Sequence, residues 1–269
     1  MRRPFHKMHG LGNDFVIIDA RGEPFDVTPV LAKAIADRRT GVGCDQLIVL
    51  EPSDSADLKM RIWNSDGGEV ESCGNATRCV VQLTGAKTID TAGGIVTGKT
   101  AEHAEHLVEL LLPEPRFSWD EIPLAYPMDT AALPLGWDGL QNPMALNVGN
   151  PHLVFFVPNA RDVPLHALGP RIENDPAFPN RINVNVAEIE GRAIMLQTWE
   201  RGAGLTSACG TGACATAVAA IASRRTDGPV AVAMPGGALT IEWARGEPIC
   251  MRGSATHVFE GEFDLDALA

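Results

Sequence analysis

Residues 61–79 read RIWNSDGGEVESCGNATRC, and residues 196–214 read LQTWERGAGLTSACGTGAC. Trp63 stands ten residues before Cys73, and Trp199 stands ten before Cys209. The same displacement, 136 or 137 residues, pairs Gly12-Asn13 of HGLGNDF with Gly149-Asn150 of NVGNPH, and Gln46 of GVGCDQ with Asn183 of RINVNV. Four matches in one order, at a displacement close to half of the 269 residues, read as two homologous halves.

Each half must then supply its own strands and helices. Apolar runs bounded by Gly, Pro, Asp or Asn at 15–18, 46–50 and 153–157 are expected strands. Each half has room for two helices. TPVLAKAIADR (28–38) offers a threonine N-cap and a proline at the first helical position. Segments 74–83 and 210–222 follow the two cysteines, and the second, GTGACATAVAAIA, is small and apolar on every side, as a buried helix must be. The expected fold class is α+β, with two homologous lobes, each a strand-rich sheet wrapped around a central helix, and the active site in the interdomain cleft. The prolines of PEPRFSW (113–119) are expected to mark the linker. The lobes are then 1–116, carrying Cys73, and 117–269, carrying Cys209, with the last strand able to pack back on the first lobe.

Composition removes several function classes. Hydrophobic residues make up 45% and charged ones 21%, which a folded chain with a real core requires. Twenty-two Lys and Arg against 34 Asp and Glu give a net charge of −12, a field that opposes sequence-independent nucleic-acid binding. MRRPFHKMHGLGNDF has two arginines without an apolar stretch behind them, and no uncharged run reaches the ~18 residues of a membrane span, so a cytoplasmic location is expected, with no membrane partner. The cysteines at 44, 73, 79, 209, 214 and 250 are too sparse for a disulfide scaffold. Five residues separate Cys73 from Cys79 and four separate Cys209 from Cys214, spacings unlike zinc sites, so no metal is expected.

Cys73 and Cys209 each precede a Gly and a run of helix formers, which places both sulfurs at helix N-termini. Unpaired amides and the positive end of the helix dipole there favour a thiolate, lowering the thiol pKa from ~8.5 towards neutrality. Two such thiols on homologous lobes suit a cleft in which one removes a proton from one face of a carbon while the other delivers a proton to the opposite face. Backbone amides of Gly74, Asn75, Gly210 and Thr211 would stabilise charge developing on a neighbouring carboxylate. Racemisation or epimerisation of this kind needs no cofactor, and no nucleotide loop is evident.

HGLGNDF, GVGCDQLIVLEP, NSDGGEVESCGNATRC, NVGNPH, RINVNV and WERGAGLTSACGTGACA together resemble the diaminopimelate epimerase family over residues 8–215. The resemblance implies cofactor-independent interconversion of LL- and meso-2,6-diaminopimelate in lysine and peptidoglycan precursor synthesis, a two-lobed fold closing over substrate, and a homodimer. By position, Cys73 and Cys209 match the catalytic thiols, with His152 and Glu200 beside them. His152 would orient Glu200 or tune a thiol. Asn13, Gln46, Asn64, Asn150 and Asn183 match substrate-binding amides, Arg201 a carboxylate partner, Glu200 an ammonium acceptor, and Gly74, Asn75, Gly210 and Thr211 the amide donors. The chain departs from the family pattern at Ala76-Thr77, at Leu205, and at Phe259, where relatives place a tyrosine at a dimer interface.

Plainer readings stand beside these. Cys44, Cys79, Cys214 and Cys250 read as small buried hydrophobes. His152 could be a hydrogen-bonded loop residue, Asn13 and Asn150 turn residues, and Glu200 with Arg201 a surface pair. Trp63 and Trp199 read as core anchors, and His103 and His106 as solvated. Three alternatives stay open: a racemase of another amino acid, a redox or metal-binding protein built on the same cysteines, and a two-lobed binding protein without catalysis.

Overall fold

The computed structural model describes residues 2–101 and 104–267; His103 lies outside them. The chain forms two compact units, Met1–Leu110 with Gly253–Ala269, and Leu111–Arg252. The first division falls before the proline-rich stretch, because Arg116 bridges Asn147 through two backbone hydrogen bonds of 2.8 and 2.9 Å and so is tied into the second unit. Among the described residues no helix is long and apolar enough to cross a membrane.

The first unit runs β1 (Arg2–Gly10), β2 (Asn13–Asp19), α1 (Pro29–Ala36), β3 (Gln46–Glu51), β4 (Leu58–Asn64), β5 (Glu69–Val70), α2 (Gly74–Thr84), β6 (Thr88–Thr91), β7 (Gly94–Ala101) and β8 (Ala104–Leu112). β2 lies parallel to β3, with Phe15 opposite Gln46, and β4 returns antiparallel, with Trp63 opposite Leu47. Phe15–Ile18 and Leu47–Leu50 are fully buried, as strands covered on both faces require. Val16, Ile18, Leu47 and Val49 pack with Ala32 and Ile35 of α1 and with Trp63. α1 begins as expected, with Thr28 Oγ1 accepting from Leu31 N at 3.2 Å and Pro29 at its first position. It stops at Ala36, short of Arg38, because Asp37 leaves the helix and its carboxylate accepts from the amides of Arg39 and Thr40 at 2.8 and 2.7 Å.

The second unit continues with β9 (Gly136–Trp137), β10 (Leu140–Gln141), β11 (Met144–Asn147), β12 (Pro151–Phe156), α3 (Leu165–Glu173), β13 (Asn183–Glu190), β14 (Ala193–Glu200), β15 (Gly204–Thr206), α4 (Gly210–Ala222), β16 (Val230–Met234), β17 (Gly237–Glu242) and β18 (Ile249–Ser254). Its pairings repeat those of the first unit. β12 lies parallel to β13, with His152 opposite Asn183, and β14 returns antiparallel, with Trp199 opposite Val184. In both units the cysteine-led helix follows a short strand and precedes a strand parallel to the one bearing the tryptophan. The two halves are therefore homologous in topology as well as in sequence. Gly212–Ala220 of α4 are buried without a break, which only small and apolar residues on all sides allow. α3, which the sequence pattern did not resolve, contains Pro170. Its Gly169 packs against Trp199 so closely that a Cβ there would sit 2.4 Å from the indole.

The last strand, β19 (Thr256–Asp264), pairs antiparallel with β1 and completes the first unit. Phe5 stands edge-on to Phe259, ring centroids 5.9 Å apart.

Candidate active site

In the first unit Cys73 is the N-cap of α2, in extended backbone (φ −150°, ψ 109°) and half-buried. Its carbonyl accepts from the amide and hydroxyl of Thr77, both at 2.9 Å, which locks the first helical turn. Its Sγ lies 3.8 Å from Asn13 Oδ1, which also accepts from Asn75 Nδ2 at 3.3 Å. Asn13 Nδ2 donates to Asp45 at 3.0 Å, and Arg38 donates to both Asp45 and Asp14 at 2.8 and 2.6 Å. Asn75 Oδ1 accepts from the fully buried Arg78 guanidinium at 2.7 Å. Gln46 Nε2 donates to Asn64 Oδ1, its partner across β3 and β4, at 2.9 Å. Among the described residues Gln46 Oε1 is buried with no hydrogen-bond partner, an acceptor in need of a donor.

In the second unit Cys209 caps α4, and its Sγ accepts from Gly212 N at 3.3 Å and lies 3.6 Å from Thr211 Oγ1. Asn150 Nδ2 donates to Thr211 Oγ1 at 3.3 Å, as Asn75 and Asn13 meet in the first unit. Behind Asn150 the directions of the hydrogen bonds are fixed by elimination. Asn185 Nδ2 spends one hydrogen on Leu153 O at 2.9 Å and the other on His152 Nδ1 at 3.0 Å. His152 therefore carries its proton on Nε2 and donates it to Asn150 Oδ1 at 2.8 Å. Thr198 Oγ1 donates to Asn185 Oδ1 at 3.1 Å and completes that amide. A one-way chain thus runs from the Thr198 hydroxyl through Asn185, His152 and Asn150 to the hydroxyl beside the sulfur.

Asn183, 3% exposed, uses its amide to join Pro151 O at 2.8 Å and Arg201 N at 2.9 Å. The exposed Arg201 guanidinium donates to Asn180 O at 3.0 Å. Glu200 accepts from Thr206 Oγ1 at 2.5 Å and bears on Cys209. Gly74 and Asn75, and Gly210 and Thr211, occupy the first positions of α2 and α4, where amides have no intrahelical acceptor.

The electrostatics correct two expectations. The Cys209 thiol is held well above its ordinary range, first by burial and then by the charge of Glu200, which outweigh the hydrogen bonds of Thr211 and Gly212. A helix N-terminus does not make this sulfur acidic, because desolvation penalises the anion more than two donors stabilise it. His152 is likewise pushed down to about 3, first by burial and then by the Arg201 charge. It is neutral in the folded protein, and its ring nitrogens meet Asn150 and Asn185 rather than orienting Glu200.

Cys44 and Cys79 are pushed up by burial to about 11 and about 12, as inert core thiols are. Trp63 is 2% exposed and buried in the first core, and Trp199 packs on the second while donating to Glu173 at 2.7 Å. His106 is exposed. Asp45, Arg78, Asn185, Thr198 and Thr206 support the site although the motifs did not single them out. Only Asn185 carried a legible signal, since the alternation of NVNV places it on the same strand face as Asn183. A surface pocket of about 340 Å³ in the second unit, walled by Leu140, Val157, Pro164 and Leu168, contains none of the candidate residues.

A family model described as "Diaminopimelate epimerase" matches residues 5–110 and 144–258. The chain is 62% identical over 270 residues to a protein of Rhizorhabdus wittichii named diaminopimelate epimerase, covering 99% of this chain and 97% of the other. It is 62% identical over 262 residues to one of the same name from Sphingopyxis alaskensis, covering 97% of each. The crystal structure of a Bacillus anthracis phenazine biosynthesis protein of the PhzF family superposes with a TM-score of 0.67 over 98% of this chain and all of that one, at 17% identity, which is a likeness of fold.

Proposed function

The chain belongs to the diaminopimelate epimerase family and is an isomerase that epimerises diaminopimelate; from that premise we propose that Cys73 and Cys209 are the two thiols that do the chemistry. The observation that carries this reading is the repeated construction of the thiols. Each unit caps its buried helix with a cysteine and sets an asparagine from a Gly-Asn turn against the second residue of that helix.

In the proposed reaction one sulfur, as thiolate, takes the α-proton of the LL isomer. The C–H bond breaks, its electron pair moves into the α-carboxylate, and an S–H bond forms. The other thiol then gives its proton to the opposite face, so that a new C–H bond forms, that S–H bond breaks and the meso isomer results. Cys209, held in the thiol form by burial and Glu200, is the resting acid. Amides of Gly74, Asn75, Gly210 and Thr211 meet the carboxylate as charge gathers there. His152 acts as a positioning residue, aiming Asn150 at Thr211. The unpartnered Gln46 Oε1 suits a substrate ammonium, with Asn13, Asn64, Asn150 and Asn183 around the substrate, Glu200 as a further ammonium acceptor and Arg201 for the distal carboxylate. No cofactor takes part in this reading, and the product serves lysine and peptidoglycan precursor synthesis.

The reading extends to a homodimer. β19 exposes Val258 and Phe259, 53% and 48% accessible, an apolar pair on an exposed strand that a second copy would cover. It also extends to the cytoplasm, where a reducing environment keeps both working thiols from oxidation.

The test is proton exchange with LL-diaminopimelate in deuterated water, using reduced protein without added cofactor. Deuterium should enter at the α-carbon as meso isomer forms, and Cys73→Ala and Cys209→Ala should each cut turnover by about a thousandfold or more. Turnover near the wild-type rate in either variant would remove the two-thiol mechanism and leave the activity itself intact.

A further inference from the structure

Far from both cysteines in sequence, β1 and β19 gather two imidazoles and a carboxylate. His6 and Glu260 are register partners, so their side chains share a face. His257 precedes Glu260 by three residues, an odd spacing that in a regular strand would send it to the other face. The register shifts at this point: Lys7 pairs with Phe259 and Met8 with His257, leaving Val258 as an extra residue. Such a bulge re-aims the side chain beyond it, and here it returns His257 to the face of His6 and Glu260. His6 Nδ1 lies 3.1 Å from His257 Nε2 and 3.8 Å from a Glu260 oxygen, and no two of the donor atoms are more than 4.8 Å apart.

We propose that His6, His257 and Glu260 form a binding site for a divalent transition-metal ion of the zinc class. Metal–ligand bonds of ~2.0–2.1 Å at tetrahedral angles put neighbouring donor atoms about 3.4 Å apart, and the two separations from His6 Nδ1 bracket that value. Two imidazole nitrogens and one carboxylate oxygen suit zinc, cobalt, nickel or copper, whereas magnesium and calcium take all-oxygen sets. His257 and Glu260 are exposed and His6 half-buried, so the ion keeps solvent-facing positions and exchanges readily. The chain's charge of −12 adds a general attraction for cations. The cysteine spacing gave no sign of this site, because its donors come from opposite ends of the chain and meet through strand pairing.

The experiment titrates tag-free, metal-stripped protein with Zn²⁺ and Co²⁺ by calorimetry and absorption, with Mg²⁺ as control and light scattering to record mass. One equivalent of Zn²⁺ or Co²⁺ should bind per chain, with no thiolate-to-cobalt charge-transfer band. His6→Gln, His257→Gln and Glu260→Gln should each weaken binding by about tenfold or more, while the epimerase rate of His257→Gln stays that of wild type. Equal uptake by the variants, a charge-transfer band assigning the ion to cysteine, or equal binding of Mg²⁺ would each overturn the site. Uptake that occurs only as the mass doubles would assign the ligands to two chains, against the single-chain site.

Discussion

His152 shows how far burial can move a side chain from its ordinary chemistry. An unfolded imidazole takes up a proton below about pH 6.5, whereas this one resists protonation until about 3. Between those values the unfolded state holds more protons than the folded one, so folding stability is present in full above pH 6.5 and is lost as pH falls towards 3. At about 1.4 kcal/mol per pH unit the loss is on the order of a few kcal/mol. His152→Gln keeps a side chain able to bond both asparagines but removes the titration. Urea unfolding at a series of pH values should therefore give wild type a steeper loss below pH 6.5 than the variant. Parallel curves would mean that His152 titrates alike in both states. In the proposed reaction, a ring that stays neutral at working pH directs a hydrogen bond and does not carry the proton.

At the scale of elements, the start of α4 concentrates the constraints. A Cβ on Gly212 would lie 2.7 Å from Asn185 Oδ1, 2.9 Å from Thr198 Oγ1 and 3.2 Å from Cys209 Sγ. Gly212→Ala gains about 1 kcal/mol of helix propensity but meets an overpacking cost of about 1–3 kcal/mol. The expected result is a net destabilisation of about 1 kcal/mol and a fall in turnover of about tenfold or more, read by thermal melts and the exchange assay. Wild-type turnover would show that the polar chain tolerates displacement. α2, α4 and the start of α1 were legible because their signals are local: a capping residue, a proline at the first position, a run of small residues. α3 was not, since Pro170 interrupts the only pattern that would have marked it. The acidity expected of Cys209 was misjudged for a related reason. The helix end is visible in sequence, while the burial of Cys209 and its proximity to Glu200 arise from strands far along the chain.

For the whole molecule, duplication followed by divergence gives two thiols of unlike surroundings. His152 occupies the place that Phe15 holds in the first unit, Asn185 that of Ile48, and Glu200 that of Asn64. Phe15 and Ile48 are fully buried, so the first unit fills with apolar groups the space where the second runs its hydrogen-bonded chain. The displacement that revealed the repeat also disclosed the paired cysteines and asparagines, but it could not disclose Asp45 or Asn185, which have no polar counterpart in the other half. Unlike surroundings suit the proposed chemistry, which needs one thiolate and one thiol at the same moment. It also needs both sulfurs to reach one carbon. A proton moves between heavy atoms about 3–3.5 Å apart, so sulfurs on the two faces of a carbon would stand roughly 7 Å from each other. Two thiols that reach one carbon in the proposed reaction can also join in a disulfide, with its ~2.05 Å S–S bond, when no substrate lies between them. Mild oxidation of the substrate-free protein should therefore join Cys73 to Cys209, detectable by peptide mass mapping, and abolish turnover. Reductant should restore activity, and bound diaminopimelate should slow the cross-link. A fully active protein carrying a verified Cys73 to Cys209 disulfide would sink the two-thiol reading, because neither sulfur would have a proton to give or be a thiolate able to take one.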